Sequence, residues 1–245
     1  MAWQGLNVLA VVPARGGSKG IPRKNLCKVG GKSLIAHAAQ TVNALEWIDH
    51  AILSTDDEEM AEEGRVHGLD VPFLRPAEFS SDQAMALGMW QHAWLQGEAY
   101  YHCRFDLSIL LQPTTPLRKP EEVERTIRTL VEGSHHAAAT VSRVPGHYTP
   151  HKILTLDPAG CVNFYLEEGA QHSSRQTIPP YYSRNGLCYA VTRETLLTSG
   201  HIVEEDCVGV VIDRPIINID EPFELDLANV MFAREQDAQA EHPAR

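Results

Sequence analysis

The feature that most restricts this chain is the stretch 12–26, Val-Pro-Ala-Arg-Gly-Gly-Ser-Lys-Gly-Ile-Pro-Arg-Lys-Asn-Leu. It follows an apolar run at 6–12 that reads as a buried first strand, and it precedes a helix-like stretch beginning near Ser33. Gly16, Gly17 and Gly20 permit backbone conformations that turn N–H groups toward an anion. Arg15, Lys19, Arg23 and Lys24 add positive charge, the arginines with a fork that matches phosphate oxygens. A strand, a basic glycine-rich turn and a helix, in that order, point to an α/β fold with a triphosphate cradle. Two familiar phosphate loops fail on spacing. The glycines at 16, 17 and 20 do not make G-x-G-x-x-G, and Gly31-Lys32-Ser33 ends like a P-loop but lacks the required glycine at Leu26. The alternative, a basic surface loop that binds nothing, sits poorly with so many cations directly after a strand.

The rest of the composition narrows the partners. The formal net charge is −11, yet no Asp or Glu occurs before Glu46, whereas Arg15, Lys19, Arg23, Lys24, Lys28 and Lys32 all fall there. An acidic chain lacks the basic field that nucleic-acid binders carry, so the concentrated basic segment is expected to hold a small anion. With 245 residues and 43% hydrophobic content, the chain can bury a full core, and a single domain over 1–245 is expected. No apolar run is long enough to span a bilayer and no signal-peptide pattern opens the chain, so a soluble, cytoplasmic protein is expected. The five cysteines show no C-x-x-C spacing, which fits a reducing compartment without disulfides or a zinc site. Cys27, beside the basic loop, is a candidate reactive thiol; packing is the alternative reading for all five.

Strand and helix patterns alternate along the first part of the chain. Strands are predicted at 48–54, 71–74, 107–111 and 137–142, and helices from Ser33, at 58–67, at 82–96 and from Pro120, where Glu121, Glu122 and Glu124 favour a helix N-terminus. This alternation predicts a doubly wound, mostly parallel sheet with helices on both faces. Ligands of such sheets sit outside the carboxyl ends of the strands. The loop at 13–25, Thr55-Asp56-Asp57 and residues 112–116 all leave such ends and should converge on one crevice. At 145–182 the pattern becomes turn-rich with short alternating runs, read as a β-rich arm inserted into the domain. Strands at 186–192, 208–213 and 216–219 should return to the main sheet, and a helix should follow at 220–232.

Taken in order, the motifs resemble those of the acylneuraminate cytidylyltransferases, the CMP-sialic acid synthetases. The loop at 12–26 is similar to that family's signature, and Ser54-Thr55-Asp56, Leu74-Arg75-Pro76-Ala77-Glu78, Leu110-Leu111-Gln112-Pro113-Thr114-Thr115-Pro116-Leu117-Arg118 and Asn185-Gly186-Leu187-Cys188-Tyr189 follow in family order. The resemblance runs from about residue 7 to 232. It implies a Rossmann-like nucleotidyltransferase that joins a nine-carbon 2-keto sugar acid to CMP from CTP, releasing pyrophosphate, with Mg²⁺ as cofactor. By the same resemblance, Arg15 and Lys24 grip the triphosphate, Gly16, Gly17 and Ser18 offer backbone N–H groups, Asn25 contacts the nucleotide and Arg75 helps read cytosine. Gln112, Asn185 and Tyr189 are implied at the sugar, and Lys152 and Arg175 are implied to reach it from a second copy of the chain, making the arm a dimerisation element of a homodimer. Simple surface charge is the other reading of Lys152 and Arg175; Asn185 can also serve only to shape a turn, and Gln112 only to cap a strand end.

Two departures matter. Relatives often carry Asp-x-Asp where this chain has Asn218-Ile219-Asp220, so Asp220 is expected to contact Mg²⁺ while Asn218 is a weak ligand or a strand-end polar residue. Many relatives carry an arginine where Ser183 stands, which points to a different nonulosonic acid, such as legionaminic or pseudaminic acid. The competing functions are CTP-dependent activation of another acid, such as eight-carbon Kdo or a phosphonate, and a non-enzymatic nucleotide-binding protein weakened at Asn218.

Overall fold

A computed structural model describes residues 3–81, 86–171, 178–198 and 206–241. Its centre is β1 (Val8–Pro13), whose first five residues are all buried. An uninterrupted apolar strand of this kind belongs between two neighbours with both faces covered. Accordingly, β1 pairs in parallel with β4 (His50–Ser54) on one side and β5 (Leu107–Leu110) on the other. Between β1 and β4 lie the two-residue strands β2 (Lys28–Val29) and β3 (Lys32–Ser33), which form a small antiparallel pair, and the helix α1 (Leu34–Asn43). The Ser33 Oγ accepts from the Ala36 amide at 2.9 Å and so caps α1. Asp57 does the same for α2 (Glu58–Val66) through the Met60 amide at 3.0 Å.

Helix α3 (Ala86–Tyr101) leads to β5, and α4 (Pro120–Glu132) leads to β6 (Ala137–Arg143). Pro120 opens α4 as expected, since its missing N–H would be unsatisfied there anyway. After β6 the chain leaves the sheet for the arm and returns as β9 (Tyr182–Thr192), antiparallel to both β6 and β5. The arm carries a small hairpin, β7 (Leu154–Leu156) with β8 (Val162–Phe164), among short 3-10 turns. Helix α5 (Arg193–Thr198), the edge strand β10 (Cys207–Val211) and α6 (Pro222–Glu241) complete the order. The six-stranded sheet runs β10-β6-β9-β5-β1-β4, with β9 alone running against the others. The expected mostly parallel sheet is therefore present, and β9 runs backwards because it is the second leg of a hairpin whose tip is the arm.

Alternation along β1 divides the core. Val8, Ala10 and Val12 face α1, α2 and α4 through Ile35, Met60 and Val123, whereas Leu9 and Val11 face α3 through Trp90 and Trp94. Trp90 is fully buried and donates its indole N–H to Ser108 Oγ at 2.8 Å. Its truncation to alanine would cost roughly 3–5 kcal/mol through lost burial and cavity formation. A third apolar cluster, with Ile21, Leu34, Ile217 and Ile219 at its centre, joins the opening loop to the segment before α6.

Two expected strands are absent. At 71–74, pairing stops after a single bridge between Ile52 and Asp70, because the next residue but one, Pro72, has no N–H to continue the ladder. At 216–219 the burial alternates, but the backbone reaches no sheet partner beyond the Ile219 amide on the Thr114 carbonyl at 2.8 Å. All five cysteines are unbridged.

Candidate active site

The opening loop leaves β1 at the carboxyl end of the sheet and crosses the ends of β4 and β5. A cleft of about 280 Å³ opens there, walled by Arg15, Ser18, Lys24 and Asn25 from the loop, Arg75 from the segment after β4, and Gln112 from the end of β5. Three stretches far apart in sequence thus meet as the strand order requires. Phe79 and Met89 supply an apolar wall and Ser81 and Thr114 add hydroxyls. Thr114 belongs to the 112–116 segment expected at the crevice; sequence reasoning missed Phe79, Ser81 and Met89, although Phe79 directly follows the Leu74–Glu78 motif.

Carboxylates hold the loop in position. The Gly16 amide donates to Asp56 Oδ1 at 2.9 Å, so the N–H expected to face phosphate is engaged by the turn after β4. Arg23, in a left-handed conformation at φ 52°, pairs with Asp57 and Glu59, each at 2.8 Å, and turns away from the cleft toward the start of α2. Burial pushes the Asp57 carboxyl up, but the Met60 amide and the Arg23 guanidinium outweigh that and hold it below the ordinary carboxylate range. Lys24 Nζ meets Asp220 Oδ1 at 2.8 Å. Gly20 closes the same contact from the backbone, because a Cβ there would stand 2.2 Å from the Asp220 carbonyl oxygen.

Arg75 is buried and donates from Nε to Ser54 Oγ at 3.0 Å, with a second donor on the Ser54 carbonyl. Burial lowers its guanidinium to about 10, with Asp56 opposing and Arg15 reinforcing the shift, so it remains a cation at neutral pH. It anchors the end of β4 and walls the cleft with the same group.

The two residues of the C-terminal motif lie together. Asn218 donates from Nδ2 to Asp220 Oδ2 at 3.1 Å, and Glu224 caps the turn by accepting from the Asp220 and Glu221 amides at 2.6 and 2.8 Å. Asn218 Oδ1 is buried with no hydrogen-bond partner. A buried acceptor without a donor is costly, and together with the exposed Asp220 carboxylate it is a donor set that suits a hard cation. Among the described residues no cluster of three or more His, Cys, Asp or Glu side chains could hold a metal by itself.

The remaining expected residues lie elsewhere. Asn185 is buried in the β6–β9 pairing: its Oδ1 accepts from Thr140 Oγ1 at 2.6 Å and the Leu187 amide at 3.1 Å, and its Nδ2 donates to Ser142 Oγ at 3.1 Å. These bonds stabilise the register shift between Ala139 and Val141, and Gly186 at φ +72° makes the irregularity sterically possible. Tyr189 packs in the apolar layer under α3. Neither side chain lines the cleft. Gly17 meets nothing within 4 Å of its would-be Cβ and stands open. Lys152 ends a 3-10 turn in the arm, away from the cleft walls, and Arg175 lies outside the described residues.

Comparison with known proteins agrees with this geometry. The family model described as Cytidylyltransferase matches residues 9–204. The chain belongs to the cytidylyltransferase family. As a cytidylyltransferase it is a nucleotidyltransferase. It is 29% identical over 234 residues to the post-translational flagellin modification protein B of Campylobacter coli, covering 95% of this chain and 97% of that one. It is 28% identical over 240 residues to the CMP-N,N'-diacetyllegionaminic acid synthase of Legionella pneumophila, covering 95% and 99%. A pseudaminic acid cytidylyltransferase of Campylobacter jejuni is 26% identical over 229 residues, covering 91% and 95%. In fold, this cytidylyltransferase resembles a solved CMP:2-keto-3-deoxy-manno-octonic acid synthetase complexed with CTP, with a TM-score of 0.67 and 17% identity over 94% of this chain and 99% of that one. No helix among the described residues is long and apolar enough to cross a membrane.

Proposed function

We propose that this cytidylyltransferase activates a nonulosonic acid with CTP, giving the CMP-sugar and pyrophosphate. The observation that carries the reading is the convergence of Arg15, Ser18, Lys24, Asn25, Arg75 and Gln112 on one cleft at the carboxyl ends of β1, β4 and β5. The names of several relatives, which specify legionaminic and pseudaminic acids, favour a sialic-type acid over other acceptors. The anomeric hydroxyl attacks the α-phosphorus, its proton passes to water, the bond to the bridging oxygen breaks, and the electron pair leaves with pyrophosphate. Such a displacement needs alignment and charge neutralisation more than a covalent intermediate. Arg15 and Lys24 supply cations on the triphosphate side, Gly17 and Ser18 offer loop amides, and the Phe79 and Met89 wall suits a base. Gln112, from the end of β5, is the cleft residue assigned to the sugar acid.

Mg²⁺ would be held by Asp220 with the Asn218 carbonyl oxygen, keeping most of its remaining ligands as phosphate and water, and it would offset phosphate charge. Lys24 now occupies the Asp220 carboxylate, so it is free to turn to the triphosphate once another cation takes that place.

The arm supports assembly as a homodimer. Tyr148, Leu156, Val162 and Tyr165 are each more than 60% exposed, an apolar surface that a second copy would cover. Lys152 lies on that arm, so in a dimer it would approach the partner's cleft. The cytoplasm, where CTP is made, is the expected location.

The test is pyrophosphate release from CTP and Mg²⁺ across legionaminic, pseudaminic and N-acetylneuraminic acids, Kdo and a blank without acceptor. Release with one nonulosonic acid is the expected result. Release with Kdo alone would replace the acceptor, and silence across the panel with CTP binding intact would overturn the activity.

A further inference from the structure

A second cavity, of about 410 Å³, lies on the other side of the 112–118 segment, between α1, the start of α4 and α6. Its floor is formed by Thr41, His37, Pro116, Leu117 and Arg118, all buried, and Lys32 and Lys119 stand exposed at its edge. Glu121 and Glu235 are also at the edge, so the only charged group on the floor is the Arg118 guanidinium.

Arg118 is 6% exposed and is bonded only to neutral groups. Its Nε donates to the Leu187 carbonyl at 2.6 Å and its Nη2 to the Gln112 carbonyl at 2.7 Å. Among the described residues no carboxylate pairs with it, because Glu122, the nearest acid on α4, is taken at 2.6 and 2.7 Å by Arg214. A buried cation without an ion pair is costly. Arg75 has the same signature, buried and bonded only to Ser54, and it walls the cleft already assigned to an anionic substrate. The third nitrogen of Arg118 has no acceptor among the described residues. His37 donates its Nε2 proton to the Val29 carbonyl at 2.8 Å, and burial lowers its pKa, so it brings no negative charge to the floor; the Glu122 carboxylate acts on Arg118 only through space, with Arg214 opposing it.

We infer that this cavity is a second binding site, for a small oxyanion, a phosphate or carboxylate group borne by a metabolite, held by Arg118 at the floor and by Lys32 and Lys119 at the edge. The site is separate from the nucleotide cleft but shares a wall with it, since Arg118 holds the carbonyl of Gln112.

The experiment titrates inorganic phosphate and, separately, succinate into the full chain by calorimetry. The same titrations are run on Lys119→Glu, Lys32→Glu and Arg15→Ala. Both edge lysines are exposed, so their variants should keep the wild-type melting temperature. Wild type is expected to bind at least one of the two probes with a Kd on the order of 1 mM. Each edge variant should weaken that binding by about fivefold or more, while Arg15→Ala leaves it within about twofold. Binding of phosphate alone assigns a phosphate ester, and binding of succinate alone assigns a carboxylate. Binding lost in Arg15→Ala but kept in the edge variants would place the anion in the nucleotide cleft and overturn the inference. Absence of binding by both probes would overturn it as well. Neither result bears on cytidylyl transfer, which is read by pyrophosphate release.

Discussion

Gly20→Ala isolates the packing of the opening loop against the Asp220 segment. Gly20 has no positive φ, so alanine fits its backbone; the obstacle is space. The new Cβ would stand 2.2 Å from the Asp220 carbonyl oxygen, about 0.8 Å inside the 3.0 Å that real Cβ contacts essentially never breach. Both partners are backbone, so neither can rotate away, and the loop or the turn before α6 must move by about that amount. Overpacking of this size costs roughly 1–3 kcal/mol, which lowers the melting temperature of a chain of this length by about 2–12 °C. The displacement falls on Lys24 and Asp220, whose ion pair spans the same gap. Since a shift approaching 1 Å in a positioning group costs on the order of 10²-fold, kcat/KM for CTP should fall by about that factor. The assay is continuous pyrophosphate release with thermal melting in parallel. Kinetics within about threefold of wild type and an unshifted melting curve would refute the packing argument.

Other substitutions separate the contributions. Gly17→Ala meets no neighbour within 4 Å, so its melting temperature should match wild type, and any rise in the CTP dissociation constant reports crowding of the phosphates by the new methyl. Arg15→Ala should lower kcat by at least about 10²-fold, the scale of one lost transition-state charge contact, and unchanged turnover would remove Arg15 from the triphosphate. Asp220→Asn frees Lys24 and should leave Mg²⁺-free CTP binding as tight or tighter while raising the Mg²⁺ concentration needed for half-maximal rate; a metal titration that overlays wild type would rule out Asp220 as a ligand. Burial lowers the pKa of His37, and burial with Arg75 nearby lowers that of His92, so the unfolded chain takes up protons first. Stability should therefore fall as pH drops below about 6.5, and the urea midpoint should depend less on pH in His37→Gln.

What the sequence disclosed follows from how local each signal is. The uninterrupted apolar run of β1, the helix starts near Ser33 and at 58, and Pro120 at a helix start are short-range signals, and the structure obeys them, with Ser33 and Asp57 as the caps. The cleft was legible because strand order alone brings loops that leave β1, β4 and β5 to one edge. The failures have a common cause in partners that pattern cannot supply. Residues 71–74 form a short apolar run like a strand's, but Pro72 ends the ladder, and 216–219 alternate in burial and find no strand beside them. Asn185 has the right type and position for a sugar contact, yet its amide is taken up by Thr140, Ser142 and Leu187.

Charge pairing is the least legible layer, and it matters most for how the site works. In sequence, Arg15, Lys19, Arg23 and Lys24 form one basic cluster; in space Arg23 leaves it for Asp57 and Glu59, and Lys24 is held by a carboxylate 196 residues away. The Gly16 amide is likewise taken by Asp56. Carboxylates from three other segments thus neutralise the loop, so the cradle keeps its shape without leaving like charges to repel one another. That pairing is how a loop so rich in cations is accommodated in a chain of net charge −11; on the proposed function, phosphate would exchange for these carboxylates, and the Asp220→Asn titrations test that exchange at Lys24.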